Sequence, residues 1–77
     1  MKGSIPKGYR RIKWIEVYQH QIVWLHGTKL GEPEAYGPHI VIDIARRKLH
    51  SPVGMDFTHY AEDLLIREVD HARTKSE

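Results

Sequence analysis

The pattern of apolar and polar positions that organises the chain lies between Pro38 and Val53, PHIVIDIARRKLHSPV. Ile40, Ile42 and Ile44 alternate with His39, Val41 and Asp43, which is the period of a half-buried strand built from β-branched residues. Arg46, Arg47 and Lys48 interrupt the run before Leu49 to Val53 resumes it. The stretch predicts a β-hairpin with a basic tip, carrying Ile40, Ile42 and Ile44 on its buried face and Val41 on the opposite one. No Asn-Gly or Asp-Gly marks the turn.

Upstream, Tyr9 to Tyr18 (YRRIKWIEVY) and His20 to His26 (HQIVWLH) are rich in β-branched and aromatic residues. On a helical wheel their apolar positions scatter instead of forming one stripe, so strands are favoured. The two segments are read either as a hairpin turning near Gln19 to Gln21 or as one long bent strand. Gly27 to Gly37, GTKLGEPEAYG, is punctuated by Gly27, Gly31, Pro33 and Gly37 and reads as a loop. Downstream of Gly54, Phe57, Tyr60, Ala61, Leu64 and Leu65 fall on one sector at helical spacing, with Glu62, Asp63, Arg67 and Asp70 outside it. Asp56 or Thr58 at its start can cap a helix reaching about Ala72. Ile66 falls on the far side of that helix, and Glu68 within its apolar sector.

Together these elements predict an α+β fold: a small antiparallel β-sheet of three or four strands with one C-terminal α-helix packed on one face. The organisation expected is a flexible basic N-terminal arm over residues 1–8, a single domain over 9–73 and a disordered tail over 74–77. One face of such a sheet lacks a covering layer, and Val41 projects there.

At 77 residues the chain has room for one small core. It has no cysteine, which removes disulfides and thiolate metal sites. No apolar run approaches the roughly 20 residues that span a bilayer, and MKGSIPKGYRR lacks the apolar segment of a signal peptide. A cytoplasmic protein is expected. The formal net charge of +2 is too small by itself to imply a polyanionic partner. Its distribution is uneven, because Lys2, Lys7, Arg10, Arg11 and Lys13 all precede the first acid, Glu16.

Candidate chemistry is sparse. The chain holds six histidines, His20, His26, His39, His50, His59 and His71. They form no HxxxH pair, and a set such as His26, His39 and His50 would have to meet across strands to bind a metal. No metal and no cofactor is expected. Gly27, Thr28, Lys29 and Gly31 resemble a phosphate loop only superficially, since Glu32 and Glu34 follow where an anion would sit. His50 and Ser51 are adjacent on a strand and point to opposite faces, so they form no nucleophilic dyad. The residues therefore point away from an enzyme and from a small-molecule substrate.

Macromolecular contact remains, without a membrane role. Protein–protein contact ranks first, either with a second copy in a homodimer or with another protein, as a small regulator or inhibitor would make. The candidates for it are Val41, Tyr36, Trp14 and Trp24, since aromatic residues dominate interface hot spots. Nucleic-acid binding is the alternative. Its candidates are Lys7, Arg10, Arg11 and Lys13 in the basic arm with Tyr9 and Trp14 interleaved, and the Arg46, Arg47, Lys48 turn.

Overall fold

The computed structural model describes residues 5–68. The chain forms six strands: β1 (Tyr9–Lys13), β2 (Ile22–Lys29), β3 (Glu32–Asp43), β4 (Lys48–His50), β5 (Asp56–Thr58) and β6 (Asp63–Arg67). A short 3-10 helix, Trp14–Glu16, follows β1. All strand pairs are antiparallel, in the spatial order β1-β6-β2-β3-β4-β5.

The architecture is all-β, and it replaces the expected α+β arrangement. The described part of the segment read as a C-terminal helix holds β5 and β6 instead. β6 lies between β1 and β2 and is buried from both sides: Leu64 and Ile66 point into the core, and Leu65 is buried on the opposite face. A strand covered on both faces needs a continuous apolar run, and Leu64-Leu65-Ile66 supplies one. The same run also satisfies part of a helical spacing, which is why the pattern misled. The far end of the expected helix and the expected 74–77 tail lie outside the described residues.

The hairpin through the basic triplet is present as β3 and β4, joined by a turn over residues 44–47. Its faces are inverted relative to the sequence reading at Ile40 and Val41, while Ile44, beyond a register shift between Val41 and Asp43, packs against the core as expected. Val41 pairs with Leu49, and Leu49 with Phe57, in one inward row. Ile40 and Ile22 pair on the outer face and remain 36% and 42% exposed. Val41 makes the parity of His39 and Asp43 partly apolar, so alternation located the strand but pointed to the wrong face for Ile40 and Val41.

Gly27 to Gly37 is also strand and not loop. β2 and β3 continue through it as one long hairpin, with Lys29 paired to Glu32 across a turn at Leu30 and Gly31. Both turn residues have positive φ, 53° and 80°, which is the type I′ geometry of tight hairpins. β1 and β2 do not form the hairpin considered for them, because β6 separates them.

One core serves the whole sheet. Ile12 of β1, Leu64 and Ile66 of β6, Val23 of β2, Val41 of β3 and Leu49 of β4 join Trp14 and Val17 in a single cluster, with Phe57 of β5 packed against it. Laid flat, six strands would place the edges about 24 Å apart, too far to share one core. The sheet therefore curls over its own inner face. The curl is fastened near Trp14, whose indole N–H donates to the Ala61 carbonyl at 2.9 Å. The Arg47 guanidinium lies 5.8 Å from the Trp14 ring centroid, joining the β3–β4 turn to the end of β1.

Candidate functional site

The curl leaves one sheet face outside. At its centre Trp24 pairs with Leu65, and Tyr9 meets the indole edge-on with ring centroids 5.4 Å apart. Trp24 can lie close to the sheet because β3 bulges opposite it at Gly37 and Pro38. A Cβ at Gly37 would stand 2.8 Å from the indole Cδ1, so the bulge is shaped to the ring. Along β2 the outer face continues to Ile22, which pairs with Ile40. Across β4 and β5 it continues to His50 and Asp56, whose Nδ1 and Oδ1 lie 2.6 Å apart. The outer surface thus combines a half-buried aromatic pair, two exposed isoleucines and a polar end.

The candidate contact residues fall in different places. Val41 is fully buried in the core, so it presents nothing to a partner; the register inversion moves that role to Ile22 and Ile40. Trp14 is likewise a core residue. Trp24 remains half-buried on the outer face. Tyr36 lies on the distal hairpin, its ring over Gly27 and its hydroxyl donating to the Thr28 carbonyl at 2.8 Å.

The basic candidates do not form one uniform patch. Lys7, Arg10, Arg11 and Lys13 are exposed on or next to β1, an edge strand. Arg11 and Asp63 approach to 3.4 Å, and Arg46 and Asp43 to 3.5 Å. Arg47 donates to the Tyr60 carbonyl at 3.4 Å as well as covering Trp14. Lys48 pairs with Asp43 and Thr58 in the ladder. The curl does bring the basic turn beside Trp14 and hence near Lys13, a juxtaposition the sequence does not announce.

Two other features bear on chemistry. A shallow, open depression of about 240 Å³ lies over Leu65 and Ala61, rimmed by Arg11, His26, Glu62 and Asp63. It is smaller than the several hundred cubic ångströms that enclose a typical small molecule, and no serine or threonine lines it. On the inner side, His39 is buried and meets Phe57 edge-on at 5.6 Å, while Phe57 meets His59 at 6.5 Å. Burial lowers the His39 pKa from its ordinary 6.5, opposed in part by the backbone of Tyr36. Its Nδ1 makes no hydrogen bond of good geometry. The His59 pKa is lowered by burial and then by repulsion from His39. Among the described residues no group of three or more His, Cys, Asp or Glu side chains converges as a metal ligand set, and no helix is long and apolar enough to cross a membrane.

No family model, curated protein or solved structure matches the chain.

Sequence reasoning missed Ile22 and Leu30 as surface features and placed Ile40 on the wrong face; it named Tyr9 as a nucleic-acid contact, and not as a partner of Trp24. A signal for the hairpin tip was available, since Gly31 between Lys29 and Glu32 marks the second position of a type I′ turn. Nothing local marks Ile22 or Ile40 as outward-facing.

Proposed function

We propose that this chain is a small non-enzymatic protein-binding module whose contact surface is the outer sheet face around Ile22, Trp24 and Ile40. The observation that carries this reading is the side-by-side pairing of two exposed β-branched aliphatic residues beside the Tyr9–Trp24 pair. A contiguous apolar area on a surface otherwise edged by charge is what a protein interface uses as its dry centre. Tryptophan and tyrosine next to it supply large, stiff contact area. A regulator or inhibitor, or a protein that pairs with its own copy, is the kind of molecule this describes.

Nucleic-acid binding is less favoured by the geometry. Arg11 and Arg46 have carboxylate neighbours, and Arg47 is engaged with Trp14 and the Tyr60 carbonyl, so their charge is partly spent within the fold.

The test compares the wild type with Ile22→Glu and Ile40→Glu in two measurements, light scattering over a dilution series and affinity capture from the native host with and without nuclease. The proposal expects both variants to melt like the wild type. It also expects them to lose either the dimer or a nuclease-resistant protein partner. Variants that stay folded and keep both oligomeric state and partner would remove this face from consideration. A partner released by nuclease would transfer the function to the basic residues.

A further inference from the structure

The β2–β3 hairpin extends past the sheet as a two-stranded ribbon. Val23 and Leu25 are the β2 residues that reach the core, and from His26 to Lys29 the strand pairs only with Glu32 to Ala35. The ribbon is stiffened by Tyr36, whose ring lies across Gly27 where any Cβ would collide with it, and whose hydroxyl is tied to the Thr28 carbonyl. At the tip, Leu30 is 95% exposed and holds a φ of 53°. Both facts are unfavourable to a leucine. A left-handed backbone crowds its Cβ against the following carbonyl, and this turn position suits Asn, Asp or Gly. Exposure returns nothing for that strain, since an aliphatic side chain is stabilising only where it leaves water. Strain held by a rigid support, on a residue the fold does not use, is a mark of a contact residue.

We propose that the ribbon is a docking arm, and that Leu30 inserts into an apolar pocket on a protein partner whose rim is cationic. The rim follows from charge: Glu32 and Glu34 flank the tip against the single Lys29. The same carboxylates oppose approach to nucleic-acid phosphates or an anionic lipid surface. The stiff ribbon lowers the ordering cost of docking, because the tip is already held in the geometry it needs. This element is separate from the Ile22 and Ile40 face and stands whether or not that face is an interface.

Two measurements test the arm. In thermal melts, Leu30→Asn and Leu30→Gly should unfold a few degrees higher than the wild type, because each relieves the left-handed strain. A lower melting temperature for both would make Leu30 a structural residue and overturn the proposal. In the native host, a benzoylphenylalanine photocrosslinker at position 30 should give one protein adduct of defined mass, with no such adduct from position 53 in the β4–β5 turn. Excess wild-type protein should suppress the adduct. Leu30→Asn should compete about tenfold less well or worse, the loss expected from one buried leucine. Equal competition by Leu30→Asn, an adduct at twice the chain mass, an adduct to nucleic acid or lipid, or no adduct above the position 53 control would each overturn it.

Discussion

At the scale of single residues, the side chains that decide this fold are those whose face the sequence leaves open. In HIVID, Ile40 with Ile42 and Val41 with His39 offer two sides of unequal apolar weight, Asp43 sharing the parity of Val41, and either could face the core. Cross-strand partners break the tie. Val41 lands opposite Leu49, and Leu49 opposite Phe57, which builds one inward apolar row, while Ile40 lands opposite His50, itself opposite Asp56. That pairing is a long-range fact, and a window of neighbouring residues does not contain it. The consequence is a sharp contrast between adjacent positions. Val41→Glu should abolish folding, since it places an unpaired charge at a fully buried site. Ile40→Glu should change stability by no more than about 0.5 kcal/mol, as for a surface site. Leu49→Ala, also in the core, should cost about 2 to 5 kcal/mol, comparable to the whole stability of so small a domain. Urea denaturation of the three proteins checks the order, and a folded Val41→Glu protein would refute the register described above.

At the scale of elements, the strands with one buried face were legible and the ones with special roles were not. β1, β2 and the β3–β4 hairpin carry the β-branched composition expected of strands. β6 was hidden because a strand buried on both faces shows no alternation, and Phe57, Tyr60, Ala61, Leu64 and Leu65 happen to fall at helical spacing. The distal β2–β3 ribbon was hidden for the opposite reason: it has almost no core to pack on, so its residues look like a loop. Neither short β5 nor β3 announces that it places His59 and His39 around Phe57. That arrangement has a titration consequence. Both histidines have pKa values lowered in the fold, so the native state resists protons that the unfolded chain accepts. Stability should be full above pH 6.5, the ordinary histidine value, and fall as pH drops through the window between that value and the lowered folded ones. Urea midpoints measured across that range should decline with acid in the wild type and decline less in His59→Gln and in a His39→Gln, His59→Gln double variant. An unchanged slope in the double variant would assign the acid sensitivity to other groups.

At the scale of the whole molecule, one sheet has to make both walls of its own core. The first and last strands in the spatial order, β1 and β5, are not paired with each other, so the curl must be held by something other than a closed ladder. The contacts around Trp14 fit that role. The residue follows β1 directly, its indole N–H reaches the Ala61 carbonyl just before β6, and Arg47 from the β3–β4 turn covers its ring. Arg47 also binds the Tyr60 carbonyl, and the His59 amide donates to the Arg47 carbonyl at 2.9 Å, so the turn, the end of β5 and the start of β6 meet at one point. Trp14→Phe retains an aromatic ring while removing the N–H and part of the surface under Arg47. It should cost about 1 to 3 kcal/mol, the sum of a lost hydrogen bond and incomplete filling of the site. The distribution of that loss is the stronger test. If Trp14 fastens the curl, hydrogen exchange in Trp14→Phe should speed up most at the His59 and Arg47 amides, while the amide of Val41, held by the Gln21 carbonyl at 3.0 Å in the middle of the sheet, should follow only the global change. Uniform acceleration at all three amides would mean that Trp14 is ordinary core, and that the opening between β1 and β5 is held by the shared apolar cluster alone.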